Sequence, residues 1–449
     1  MRILPAVIEI DSPGPIAGRG GPVAGPRRVA GRAARLHSVR ARLIACCLGV
    51  ALIAGCDAVG PAEEDEMDRG AAALAAGWAI VDIGGGFHPS LALDSAGEPA
   101  LSYTRGVPDP SHVDGGDTTA AFASNDGTWR SGTGWTTADI SLIPGKIDGF
   151  ANALGFSPAA QVAYTSRTRL DRDSGFILQF ARQTNGPWQV TTVESTPWVW
   201  QVKQRVKDET TLLGYVSTAR TGVLVASSTS GGDWTRSALP DMPRDLLSSM
   251  DVGLAAAVDG EKDKLHAGVA TSTLFPTSVP AAPRGLHFAA SADGGNTWGA
   301  IVHVDTSGPM IGPQTAFAGA NPLLSYSDVD QKLAKLASSD DGGVTWSVET
   351  VAAFTSAPST GLAVDADGAP LLAIVVPDSA TFQDFLYFAR RDSKTGWSLE
   401  LVDSVAWSLG LRLGANPRIA TTADGSIVIA YDYGTQVAHH VRFAWSPPL

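Results

Sequence analysis

Seven side chains in this sequence combine aromatic faces and cationic heads that suit a polar ligand: His88, Arg167, Arg169, Trp198, Trp200, Trp407 and Arg418. An indole stacks on the apolar face of a ring, and a guanidinium offers a planar fork of donors to a carboxylate. They are scattered along the chain, so a fold must gather them before they bind anything. Single aromatics and arginines are also ordinary on a protein surface. Four acids, Asp148, Asp173, Asp251 and Asp384, are candidates for hydrolysis by a carboxylate pair. Such a pair, about 5 to 10 Å apart on different segments, leaves no sequence spacing. No residue is therefore assigned a catalytic role. Metal chemistry finds less support. All three cysteines, Cys46, Cys47 and Cys56, precede residue 57, which leaves no thiolate in the later chain. His88 has no second His at ligand spacing, and His439 and His440 are neighbours in a strand pattern, where they point to opposite faces. Neither a metal nor a cofactor is expected.

The elements that must position these side chains are announced by a tryptophan ladder. Trp78, Trp135, Trp188, Trp234, Trp298, Trp346 and Trp397 follow one another at intervals of 57, 53, 46, 64, 48 and 51 residues. Each follows a turn and opens a short alternating strand. A period near 50 with this punctuation belongs to a radial or solenoid array. The 49 glycines and 28 prolines favour many turns, and the 44% hydrophobic content supplies a sizeable core.

Each period reads as four strands, A to D. Strands A and B form a hairpin around an Asp/Thr-x-x-Gly turn, as in SLALDSAGEPALSY (residues 90–103), GLAVDADGAPLLAI (361–374) and RIATTADGSIVIAY (418–431). The Asp or Thr side chain bonds nearby backbone and Gly accepts positive φ. Strand B ends in a small residue and Tyr at Tyr103, Tyr164, Tyr215, Tyr326 and Tyr431, a position suited to packing between repeats. Strand C carries FAS, QFAR, LVASS, HFAAS, KLASS, YFAR and RFAW, and strand D begins at each Trp. Residues 77–83 are a strand D without a preceding A, B or C, whereas residues 417–445 give A, B and C alone. The expectation is an all-β fold, a monomeric seven-bladed β-propeller of four-stranded antiparallel blades over residues 77–449, its last blade closed by an N-terminal strand.

Two turns from C into D are nearly identical. Ser291, Asp293, Gly295, Thr297 and Trp298 match Ser339, Asp341, Gly343, Thr345 and Trp346 in the pattern Ser-x-Asp-x-Gly-x-Thr-Trp. This resembles the Asp-box, or BNR repeat, of sialidase-like β-propellers. The Ser and Asp side chains can satisfy the turn's amides and Gly the left-handed position, while Trp folds onto the blade's hydrophobic layer. A turn of this kind needs no calcium, so a structural staple is expected. In the resembled family, three arginines hold the substrate carboxylate, a Tyr with a Glu partner is the nucleophile, and an Asp is the acid. An early Phe/Tyr-Arg-Ile-Pro motif accompanies them, on propellers usually of six blades. Here the nearest string is Pro417-Arg418-Ile419-Ala420, in the final blade. The resemblance thus implies the fold and a glycan or protein ligand more than it implies catalysis; the alternative is a divergent glycoside hydrolase or lyase. The irregular insertions at residues 105–118, 165–174, 271–284 and 404–416 fall on the face of the B–C and D–A loops, where ligand contacts are expected.

Before the repeats, residues 43–55 (LIACCLGVALIAG) form an apolar run behind Arg35, Arg40 and Arg42, a signal-peptide pattern. Its end, Leu52-Ile53-Ala54-Gly55-Cys56, resembles the lipobox of bacterial lipoproteins, which implies a diacylglyceryl group on the Cys56 thiol and a membrane as partner. The expected organisation is a signal peptide over 1–55, with an N-terminus longer than such a signal requires, then Cys56 and an acidic tether over 56–76. The expected location is the bacterial cell envelope, at the outer membrane or cell surface. The net charge of −12 becomes about −18 when residues 1–55 are removed, with 25 basic against 43 acidic residues. Such a surface repels nucleic acid.

Overall fold

In the computed structural model, residues 77–448 are described except for 107–117, 142–145, 169–174, 184–185, 196–198, 208, 218–222, 230, 240, 244–248, 257–264, 279–280, 393–395, 408–409 and 436–437. Residues 1–76, where a signal peptide, a lipidated Cys56 and a tether are expected from the sequence, lie outside the described residues. A short 3-10 turn, Trp129–Ser131, interrupts the strands, and no described helix is long and apolar enough to cross a membrane.

Seven antiparallel four-stranded blades form the fold. Blade 1 runs Phe87–Leu93, Pro99–Gly106, Thr118–Asn125 and Trp135–Asp139 from the axis outward. Blade 2 is Lys146–Ser157, Ala159–Thr168, Ile177–Arg182 and Gln189–Glu194. Blade 3 is Val199–Lys207, Thr210–Ser217, Val223–Ser228 and Thr235–Leu239. Blade 4 is Ser249–Ala256, Leu265–Thr273, Gly285–Ser291 and Val302–Asp305, with a two-residue hairpin, Thr277–Ser278 and Ala281–Ala282, in its B–C insertion. Blade 5 is Met310–Ala318, Asn321–Asp328, Leu333–Ser338 and Ser347–Ala353. Blade 6 is Ser359–Val364, Pro370–Asp378, Gln383–Asp392 and Gly396–Ala406.

Blade 7 takes Arg418–Thr421, Ile427–Gly434 and His439–Ser446 from the end of the chain and Ala79–Gly85 from its beginning. The closing strand pairs from Ala79 opposite Trp445 to Gly85 opposite His440, with a bulge between Asp82 and Gly84. Each innermost strand lies against that of the next blade, and the seventh lies against the first. Closure removes a free edge and makes the ring one cooperative layer of packing.

Two contacts repeat between blades. Five of the seven ladder tryptophans meet the Phe on the third strand of the preceding blade, whereas Trp298 and Trp397 pack in clusters with the aliphatic Val225 and Leu336 of that strand. Ring centroids lie 5.0 Å apart for Trp135 and Phe443, 5.2 Å for Trp188 and Phe122, and 5.0 Å for Trp234 and Phe180. Trp346 and Phe288 are 5.0 Å apart and Trp78 and Phe388 5.6 Å. The layer a Trp joins is thus shared with its neighbour rather than confined to its own blade. The strand B tyrosines make the second contact. Tyr215 donates to Glu194 at 3.4 Å, Tyr326 to Asp305 at 2.7 Å and Tyr431 to Asp403 at 2.6 Å, each acid ending or nearly ending strand D of the blade before. Burial, helped by these carboxylates, raises the phenol pKa of Tyr326 and Tyr431 far above its ordinary value.

Candidate functional site

The innermost strands of all seven blades line an axial channel of about 380 Å³. Alternation along a strand sends every second side chain to one face, and in blade 3 that places Lys203 and Arg205 together beside Asp251 of blade 4. The Arg205 Nη2 lies 3.2 Å from Asp251 Oδ2 and the Lys203 Nζ 4.0 Å from its Oδ1. Arg418 enters from blade 7 and donates from Nη1 to Gln314 Oε1 at 2.5 Å, while its Nε has no hydrogen-bond partner. Asp251 itself is fully buried and takes the Thr315 amide on Oδ2 at 2.6 Å.

The described lining of the channel therefore holds three cationic side chains, with the one carboxylate of Asp251 buried beside them. Burial penalises each charge, and the electrostatics record it. Lys203 is pushed down to about 7, chiefly by desolvation, with Arg418 and Arg205 adding repulsion and Asp251 opposing them. Desolvation likewise lowers Arg418. Both keep part of their surface open to the channel while sitting deep in the ring. Cations held at the axis with donors unspent attract an anionic group that would restore the missing charge.

Among the described side chains of the seven singled out in the sequence, only Arg418 lines this channel. His88 is exposed at the start of blade 1, in a left-handed backbone conformation (φ 54°), with its ring on Phe87 and its carbonyl accepting from Asn152 Nδ2 at 3.0 Å. Arg167 is half-buried with its guanidinium 4.6 Å above the Phe176 ring. Trp407 donates from Nε1 to the buried Asp384 at 2.7 Å, under the guanidinium of Arg412 at 4.2 Å. Trp200 belongs to the innermost strand of blade 3; Arg169 and Trp198 lie outside the described residues.

The candidate hydrolytic acids are engaged in structure. Asp384 accepts from Trp407, from Arg412 Nε at 2.8 Å and from the Leu413 amide at 2.8 Å. Asp148 accepts from Ser141 Oγ at 2.6 Å. Asp251 is fully buried beside the channel's cations, and it is committed to Arg205 and Thr315. Asp173 lies outside the described residues.

Sequence reasoning missed Lys203, Arg205 and Gln314. A signal was present: VWQVKQRVK puts two cations two apart in a strand at the axis, where neighbours are buried on both sides.

The two Asp-boxes occupy the opposite kind of position, at the outer turns. Asp341 receives the Thr345 hydroxyl on Oδ2 at 2.6 Å, and the Thr345 amide at 2.8 Å, Val344 amide at 3.0 Å and Ser339 hydroxyl at 2.8 Å on Oδ1. Those bonds, the Thr345 hydroxyl first, hold its carboxyl down at about 2. Asp293 repeats the pattern through Thr297 and Ser291. Ser291 and Ser339 each take the amide of Gly295 or Gly343 at 2.8 Å. Trp298 donates to Ser237 of blade 3, and Trp346 to the Gly343 carbonyl. Four donors on one carboxylate make the turn self-sufficient as a staple.

No family model matches the chain, and no curated protein does. Several solved structures are similar to it. The intramolecular trans-sialidase of Ruminococcus gnavus matches with a TM-score of 0.38 and 13% identity, over 79% of this chain and 93% of that one. The phage phi92 endosialidase gives a TM-score of 0.47 and 7% identity, over 83% and 69%. AofleA from Arthrobotrys oligospora gives 0.40 and 10%, over 73% and 91%. The likeness is one of fold.

Proposed function

We propose that this chain is a lipid-anchored protein of the bacterial envelope whose propeller binds a glycan or protein ligand without hydrolysing it, gripping a carboxylate of that ligand in the axial channel. The observation that carries the reading is the meeting of Lys203, Arg205 and Arg418 around the single carboxylate of Asp251. A channel of about 380 Å³ has the scale of a small-ligand pocket. Arg418 keeps an Nε–H without a partner, and a carboxylate is the group whose geometry a guanidinium fork fits.

Binding is favoured over hydrolysis by the state of the acids. Asp384 spends both oxygens on neighbouring donors, Asp148 accepts from Ser141 on Oδ2, and Tyr431 is fully buried against Asp403 between blades. The anchor rests on the LIAGC sequence ending at Cys56 and on the acidic stretch after it.

Calorimetric titration with glucuronate, N-acetylneuraminate and glucose tests the reading, alongside incubation with a fluorogenic sialoside. Saturable binding of the acid sugars, loss of it in Arg418→Gln and no release of fluorophore are expected. Turnover of the sialoside that Arg418→Ala abolishes would overturn the non-catalytic reading; equal affinity for glucose would overturn the carboxylate grip.

A further inference from the structure

Away from the axial channel, blade 4 holds two imidazoles that neither the ring packing nor the channel uses. His287 on the third strand and His303 on the fourth are direct cross-strand partners, so both project from one face of the blade. Their Nδ1 atoms stand 2.8 Å apart, with ring centroids 4.9 Å apart and planes at 78°. Such a contact holds a single hydrogen: one Nδ1 donates and the other presents its lone pair. His287 is fully buried, and its Nε2 has no hydrogen-bond partner. His303 is exposed and opens onto a cavity of about 330 Å³ bordered by Asp241, Pro243, Ala282 and Ile301.

We propose that His287 and His303 form a two-histidine site for a divalent transition ion of the zinc, nickel or copper class. Paired imidazole nitrogens suit these ions, whereas calcium and magnesium take oxygen ligands. Metal–nitrogen bonds of about 2.0–2.1 Å in tetrahedral geometry need the two nitrogens about 3.3 Å apart. The pair must open by about half an ångström from its present contact. The strand that moves is the outermost and only four residues long, and its register with the third strand is already irregular beside His287. The ring that carries its hydrogen on Nδ1 shifts it to Nε2, so both lone pairs face the ion and no proton is released. Asp241 sets a negative charge at the border of the cavity, and the cavity leaves the remaining coordination positions to water or to a donor from outside the protein. The two histidines are 16 residues apart, on either side of an Asp-box turn, which hides the pair from any reading of local metal spacing.

The test uses the full chain without an added histidine tag. Metal-free protein is dialysed against Cu²⁺, Ni²⁺, Zn²⁺, Ca²⁺ or Mg²⁺, retained metal is counted, and the Cu²⁺ form is examined by electron paramagnetic resonance. One tightly held Cu²⁺ per chain with hyperfine coupling to two imidazole nitrogens is expected, with no retention of Ca²⁺ or Mg²⁺. His303→Gln, at an exposed position, should weaken Cu²⁺ at least tenfold and lose the two-nitrogen signature while its melting curve stays unchanged. His439→Gln with His440→Gln should alter neither. Failure of wild type to retain any transition ion overturns the proposal, and so does a two-nitrogen signal that persists in His303→Gln.

Discussion

Lys203 gives the channel a measurable dependence on pH. Its amine titrates at about 7 because desolvation and the two guanidiniums resist its charge more than Asp251 supports it. By that value Lys203 is about nine-tenths protonated at pH 6 and about one-tenth at pH 8. A sugar carboxylate stays ionised across that range, and the arginines stay charged. The affinity of glucuronate should therefore fall about tenfold from pH 6 to pH 8 if the ligand needs the ammonium. Binding near pH 7 should also take up a fraction of a proton, because the ligand's charge raises the Lys203 pKa; calorimetry in buffers of different ionisation enthalpy reads that fraction. Lys203→Met should bind more weakly at pH 6, with a flat profile and no proton uptake. Without ligand, the sign on stability is fixed by the same shift. The unfolded lysine titrates near its ordinary value, so between pH 7 and that value the unfolded chain holds more protons and this group makes stability rise with pH. A flat wild-type affinity from pH 6 to pH 8, or a slope that survives in Lys203→Met, refutes the assignment of Lys203 to the ligand seat.

Three other outcomes follow from the ring and its anchor. Gly343 sits at φ +98°, and a Cβ there would lie 2.6 Å from the Phe288 ring that receives Trp346. Gly343→Ala should cost about 2–5 kcal/mol, from left-handed strain and overpacking together; scanning calorimetry should show a Tm lower by several degrees, and an unchanged Tm would contradict the steric account. Deleting residues 77–83 removes most of the closing strand and its Trp78 contact with Phe388, so the Tm should drop sharply and hydrogen exchange in His439–Ser446 should accelerate. Protection left intact there would mean that blade 7 does not depend on this strand. Cys56→Ser should move the protein from the membrane fraction to the soluble fraction, whereas wild-type partitioning in the variant would remove the basis for the lipid anchor.

The architecture was legible because its cause is repetitive. A Trp after each C–D turn, a Gly at most A–B turns and a small-Tyr pair ending strand B in five repeats are local requirements of one blade, and their recurrence makes the period visible. The closing strand could be read for the same reason: a lone strand D and a lone A–B–C set are complementary halves of a single unit. The partners of these residues were less legible. Nothing local pairs Tyr326 with Asp305 or Trp346 with Phe288, since both contacts cross from one blade to the next.

The candidate site lies at the other extreme. Arg418 was visible as an arginine entering an innermost strand, but Lys203 and Arg205 read as ordinary strand charges until closure brings blade 3 opposite blade 7. Residues picked for chemical type alone went elsewhere: Trp407 into a knot with Asp384 and Arg412, Arg167 onto Phe176.

The same ring geometry explains both the quiet acids and the unsatisfied cations. At three seams between blades an acid near the end of strand D finds a donor from the next blade: Glu194, Asp305 and Asp403 are satisfied by Tyr215, Tyr326 and Tyr431. At the axis no such neighbour exists, since innermost strands face a lumen rather than another sheet. Charges placed there can be balanced only from across the channel or by something that enters it. Asp251 supplies one countercharge for three cations, and the rigid closure of the ring keeps the others from swinging out to solvent. The charge that the seams between blades would balance is thus left at the axis, where a ligand can reach it.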